Sequence, residues 1–385
     1  MGSFVAWVDY SATEQERMRQ ALALFKETET RDELGLGAIR DALADIMFPG
    51  TSTVQTRLRY FLIVPWIYQG LPRSTTSARI GTLVDGAERD LIEVLADEPG
   101  AFGALSGRSL QRLPSSVYWN GLMTWGIFRL SLSQWEYHER WDAIRQHNQH
   151  VLIPDDGGVA PDLRVAWDPR MPDAPPDWRS SLSMTMQREE SVYLRDRMES
   201  CGGSLLAHFA LTRPRLDVRT PWDAVDRLPA RLARMMRNAR GFSTLVRGAA
   251  LLYNLQLCRV SQLDAHRDRI PDYEKSMEQW AAEMAQVEEW SPDELWSFLR
   301  ESGVPVPIVR GDRIFVDKWF DLVRRQGARA LAQDAESRKL VMGRECDVKG
   351  LSRARFAHPN ALARWGGESG TGVMAFRWFR VRTLL

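Results

Sequence analysis

The chain has 385 residues, 44% of them apolar and 26% charged, with 51 Lys+Arg against 50 Asp+Glu. That length gives room for two or three domains with full cores, and the charged fraction excludes wholesale disorder. A net charge of +1 excludes an overall polycation or polyanion while leaving local patches open.

Ser11-Ala-Thr-Glu14 is a capping box that opens an amphipathic helix to about residue 28. A second helix is expected from about Leu36 to Met47, with Ile39, Leu43 and Ile46 on one face, stopped by Phe48-Pro-Gly50. Ser52-Thr-Val-Gln55 caps a third, kinked or ended by Pro65. Here Val54, Leu58, Phe61, Leu62 and Trp66 are expected in the core, with Arg57 paired to Asp41 or Asp45. A fourth helix is expected over about 77–96. From Pro114 a helix of ~10 residues ends at Gly126 and gives way to a β-like run at Ile127, as the last helix of a winged-helix domain runs into its wing.

Residues 151–179 hold six prolines and six aspartates, which is linker chemistry. Helical text resumes near Arg188 and continues to about 289, and Ser291-Pro-Asp-Glu294 opens a short helix closed by Gly303. The β-branched runs around Arg310-Gly-Asp312 predict a hairpin, with a further helix from about Asp317, a second winged-helix-like passage. The expected fold is therefore mainly α with small β-hairpins (α+β). It divides into a helical domain over 1–150, the linker 151–179, a helical domain over 180–290 and a basic, winged-helix-like region over 291–385.

Charge is segregated along the chain. Arg227, Arg231, Arg234, Arg237, Arg240 and Arg247 follow one another with no acid between them, the first five on one slowly drifting helical face. From Arg338 onward ten basic residues, Arg353, Arg355, Arg377 and Arg380 among them, face three acids, with Phe356, Trp365, Phe376, Trp378 and Phe379 interleaved. Basic groups with aromatics suit a nucleic-acid surface, arginines neutralising phosphates and rings stacking on unpaired bases. The eight candidate contacts are Arg231, Arg234, Arg237, Arg240, Arg353, Arg355, Arg377 and Arg380. The counterweight is residues 271–301, with nine acids against Lys275 and Arg300, which offer a basic stretch an internal partner. Arginine outnumbers lysine 46 to five, which fits bidentate phosphate recognition or simply a GC-rich gene; the 15 tryptophans fit core anchors.

Catalytic signals are sparse, and neither catalytic residues nor a cofactor or metal is expected. His147-Asn-Gln-His150, with Asp155 and Asp156 beyond, falls short of three or four convergent metal ligands. Asp347-Val-Lys349 matches half of a restriction-type nuclease site, the alternative reading. No P-loop or nucleophile elbow is present. Gly366–Gly372 reads as a flexible surface turn before a strand-like stretch over 373–381. Three scattered cysteines, Cys201, Cys258 and Cys346, suit a reducing cytoplasm. The start has no signal-peptide regions, and the apolar run 60–68 is far short of the ~20 residues of a membrane helix. A cytoplasmic protein without a membrane segment is expected.

Several stretches together resemble an uncharacterised bacterial family, a domain of unknown function of about this length. They are Trp7-Val-Asp-Tyr-Ser11, Thr30-Arg-Asp-Glu-Leu-Gly35, the run 48–68, Ser115-Ser-Val-Tyr-Trp-Asn120 with Trp125-Gly126, and Arg377-Trp378. The resemblance implies an accessory component of anti-phage defence islands of the Azaca type, near helicases and phospholipase-D-type nucleases. Its implied role is a DNA-contacting adaptor that scaffolds a helicase or nuclease. No catalytic residues are established for the family, so none carries over.

Overall fold

The computed structural model describes residues 32–104, 106–151, 166–304 and 308–385. In chain order its longer helices are α1 (Gly37–Met47), α2 (Tyr60–Gln69), α3 (Ser77–Val94), α4 (Pro114–Thr124), α5 (Gln134–Glu139), α6 (Trp141–Val151), α7 (Arg188–Glu199) and α8 (Leu205–Thr212). They continue with α9 (Ala230–Val260), α10 (Ile270–Ala285), α11 (Pro292–Glu301), α12 (Arg310–Gln326), α13 (Ala335–Lys349) and α14 (Trp378–Leu384). The chain forms two compact units, each discontinuous in sequence: Ala44–Leu232 with Arg377–Leu385, and the described part of 1–43 with Ala233–Phe376.

The expectation of small β-hairpins and winged-helix elements is overturned, because among the described residues no strand forms. Arg310-Gly-Asp312 is the first turn of α12, and the reason lies downstream. Phe315, Val316, Trp319, Leu322 and Val323 are buried at helical spacing, and that 3.6-residue period overrides the local β-branched character. At 127–129 the wing is replaced by an isolated antiparallel bridge, Phe128 to Trp167. In the last stretch Phe376 and Arg377 take positive φ (48° and 68°), and α14 follows with Trp378, Val381 and Leu384 buried. The capping box at Ser11–Glu14 lies outside the described residues, as do Asp155, Asp156 and the side chains of His147 and His150.

In the unit built on 44–232, α2 is apolar all round, and nine of its ten residues are buried. Around it lies an aromatic layer in which Phe61 stacks on Trp125 at 3.9 Å and 10°, while Tyr68 and Trp119 pack against Trp167. Gly121 permits the close approach of α4: a Cβ there would sit 2.5 Å from the Gly50 carbonyl oxygen. The core assignment of Leu58, Phe61, Leu62 and Trp66 holds, whereas Val54 is exposed. Arg57 donates to the Pro99 carbonyl at 2.6 Å rather than to an aspartate. A buried ion pair, Arg59 to Glu190 at 2.6 Å, ties α7 to the start of α2. Helix α14 closes this unit: Trp378 packs between Phe48 and Phe209, and its indole N–H donates to the Val218 carbonyl.

In the other unit the long α9 is mostly buried along 233–258, with Arg237 exposed, and tryptophans pack against it. Gly241 and Gly248, seven residues apart, open the two places where Trp290 and Trp280 touch the helix backbone. The indole N–H groups of Trp280, Trp290 and Trp319 donate to Thr244 O, Asn238 Oδ1 and Leu245 O. The Gly366–Gly372 stretch is no flexible surface turn. Ser369 is buried, with its backbone N–H and carbonyl both bonded by the Asn254 side chain, and Tyr273 donates to Gly367 O. Residues 32–36 are strapped to α13 by Arg344, which donates to the Leu34 and Gly35 carbonyls and to Asp312.

Candidate functional site

The eight arginines singled out by sequence are divided between the two units: Arg231, Arg377 and Arg380 belong to the one built on 44–232, the other five to the one built on 233–376. On α9, Arg234 pairs with Glu301 at 2.5 Å, Arg237 with Glu294 at 3.3 Å, and Arg240 donates to Gln286 at 2.7 Å. Arg247 continues the row by pairing with Glu283. The partners all come from 271–301, the acidic stretch that offsets the basic one in the sequence. Arg231 is exposed and lies over Gly203. Arg353 donates to the Lys349 carbonyl, Arg377 pairs with Asp45, and Arg380 donates to Thr53 O.

Arg355 belongs to a buried charge cluster. Glu33 receives Lys349 at 2.5 Å and Arg355 at 2.9 Å, while Lys349 also reaches Glu345 at 2.7 Å and Tyr253 donates to Glu345. Burial works to raise the Glu33 carboxyl, but hydrogen bonds from Lys349 and Ser369 and the nearby charges of Arg355 and Lys349 hold it down to about 2. Within this cluster Lys349 is turned away from Asp347. Both sit on helix α13, where residues two apart point about 200° from each other. Asp347 is exposed while Lys349 is turned inward to two carboxylates, so the two do not converge on a common substrate. Among the described residues no three His, Cys, Asp or Glu side chains cluster as metal ligands.

What the sequence did not single out is an open cleft of about 820 Å³ in the unit built on 44–232. Its wall is formed locally in two steps. Helix α4 is capped at its end by Trp125, Gly126 takes φ +67°, and the irregular segment 127–132, bent at Ile127 and Leu130, leads to Ser133, which caps α5. Opposite, Asp168-Pro-Arg170 makes a turn in which Arg170 N–H and Met171 N–H fold back on Asp168. The two walls are joined by Arg129 N–H to Ala166 O and Asp168 N–H to Ile127 O, on either side of the Phe128–Trp167 bridge.

Three arginines line this cleft, Arg129, Arg170 and Arg197, with one carboxylate, Asp168, among them. Asp168 is 4% exposed and receives Arg170 on both oxygens (3.2 and 3.1 Å), Arg197 at 3.2 Å and the Tyr193 hydroxyl at 3.3 Å. Burial opposes it, yet the hydrogen bonds from Arg170 and the Arg170 and Arg197 charges hold the Asp168 carboxyl below its ordinary range. One acid thus orients two guanidinium groups, and Arg197 is further fixed over the Tyr193 ring at 5.6 Å. The buried Nε of Arg197 has no acceptor among the described residues, an omission worth ~1–3 kcal/mol that a water or an anion would offset. Arg129 is exposed and its side chain has no acceptor among the described residues. The cleft therefore carries more positive than negative charge, with fixed donors around an open floor. Such an arrangement binds anions through paired N–H groups.

Among the described residues the protein is helical, in two units, one of which carries a cleft lined by three arginines and one aspartate. By sequence, residues 2–384 match a family model described as a family of unknown function (DUF6361), and the chain belongs to that family. No curated protein and no solved structure matches it. Among the described residues no helix is long and apolar enough to cross a membrane.

Proposed function

We propose that the protein is a non-catalytic adaptor that binds nucleic acid, and that the contact surface is the arginine-lined cleft rather than the arginine row of α9. The observation that carries this reading is the set of Arg129, Arg170 and Arg197 around one orienting aspartate, with Arg129 and Arg170 exposed. On α9, Arg234, Arg237, Arg240 and Arg247 are engaged by Glu301, Glu294, Gln286 and Glu283, so a phosphate would have to displace an existing partner at each, as it would not at Arg129. The family resemblance supplies the setting, an accessory subunit of an anti-phage defence complex that holds a helicase or nuclease to DNA.

The test is a titration of the whole protein with labelled DNA at about 50 and 200 mM salt, an interval over which phosphate-dominated binding weakens by orders of magnitude. Replacing Arg129 and Arg170 together by Ala is expected to weaken binding and flatten its salt dependence. Replacing Arg234 and Arg237 by Ala is expected to leave it unchanged. Binding lost through the second pair and kept through the first would refute the cleft as the contact surface.

A further inference from the structure

Building on the nucleic-acid reading of the cleft, we propose that its ligand is a single strand and that Trp135 is the platform on which one unpaired base stacks. Trp135 is 69% exposed, whereas Trp66, Trp125, Trp280, Trp319 and Trp378 are each fully buried. It sits on α5, two residues beyond the segment 128–133 that lines the cleft.

The helix that carries it is held on its other sides. Gln134 donates to the Tyr68 hydroxyl and to Ser115 Oγ, His138 shares a hydrogen bond with the Tyr68 hydroxyl at 2.7 Å, and Tyr137 is buried. Glu136 closes a capping box on Ser133. Gln134, Tyr137 and His138 are thus fastened to the unit, and the indole of Trp135 is left to solvent on a held helix. A ring displayed in this way loses little conformational freedom on stacking.

A duplex buries the faces of its bases and offers a protein mainly phosphates and groove edges. A single strand offers phosphates and π-faces together, and base–aromatic stacking beside a cationic groove is how such strands are held. The cleft meets both demands: Arg129 and Arg170 for phosphates, Trp135 for a base.

The experiment uses the full chain and fluorescence anisotropy with a labelled 12-nucleotide single strand and the same sequence as a duplex, at about 50 and 200 mM salt. The native protein is expected to favour the single strand. Trp135→Ala should weaken single-strand binding by about 10- to 100-fold, the range for one lost stacking contact, with the salt dependence unchanged. Trp135→Phe should retain most of the affinity, and duplex binding should not respond to either change. Because Trp135 is exposed, both variants should melt at the native temperature, which separates lost binding from lost folding. If Arg129→Ala with Arg170→Ala weakens both ligands but Trp135→Ala weakens neither, the single-strand inference fails and the cleft stands. If the double arginine variant also has no effect, or neither ligand binds, the cleft reading fails with it.

Discussion

Glu88 offers a quantitative test of how the unit built on 44–232 handles a buried charge. Its carboxylate is 2% exposed and accepts from the Ser115 backbone N–H at 2.6 Å and the Ser115 hydroxyl at 2.7 Å, at the start of α4. Burial pushes its pKa up to about 7 from an ordinary 4.5, against the lowering effect of the two Ser115 hydrogen bonds. That gap corresponds to roughly 3 kcal/mol at about 1.4 kcal/mol per pH unit. The folded state holds the proton more tightly, so the stabilising effect is full below pH 4.5 and is lost as pH rises through 7. Glu88→Gln keeps an acceptor for the Ser115 N–H and cannot ionise. The difference in stability between Glu88→Gln and the native chain should therefore move by up to about 3 kcal/mol in favour of glutamine between pH 4.5 and 8. Urea titrations followed by tryptophan fluorescence at several pH values measure it. Other carboxylates, Glu33 included, titrate in both proteins and cancel in the difference. Parallel pH profiles for the two chains, or a difference that moves the other way, would refute the assignment.

Two further changes probe the packing. Glu190→Ala removes one partner of the buried pair with Arg59 and leaves the guanidinium with only the Ser183 carbonyl, so a loss of about 3–5 kcal/mol is expected in a denaturant titration. A loss below 1 kcal/mol would mean that water reaches Arg59. Gly248→Ala places a Cβ 2.0 Å from Trp280 Cζ2, and the indole is held by its bond to Thr244 O. An overpacking cost of about 1–3 kcal/mol should lower the melting temperature, despite alanine's better helix propensity. An unchanged or raised melting temperature would show that Trp280 moves freely.

The helices with an unbroken apolar period were legible: 37–47, 77–94 and 292–301 fall within a few residues of their expected bounds. The hairpin around Arg310-Gly-Asp312 was misread because the β-branched residues were weighed locally, while most of the buried set that decides the matter, Phe315 to Val323, follows it. The arginine row of α9 and its acidic counterweight were both visible as charge. Which arginine meets which acid depends on how α10 and α11 fold back on α9, and composition does not carry that. The cleft was not legible at all. Arg129, Asp168 and Arg197 are far apart in sequence; the bridge between Phe128 and Trp167 joins the first two segments, and the ion pair to Asp168 adds Arg197 of α7. The only local signal was the Asp-Pro-Arg turn at 168–170, inside a stretch whose prolines speak for a linker.

The interleaving of the two units in sequence bears on how the protein is made. Residues 44–232 leave the ribosome before any of Ala233–Phe376, yet their unit is completed by Arg377–Leu385. Throughout synthesis of that intervening unit, Phe48 and Phe209 wait without the ring of Trp378 that lies against both. Domains emerging early usually fold as they appear. Here the earlier unit must persist with an open apolar seam until the later one has been translated. What completes it is a single seven-residue helix, Trp378–Leu384. The nascent chain thus has a period of exposure to aggregation and chaperone capture that the finished molecule does not reveal.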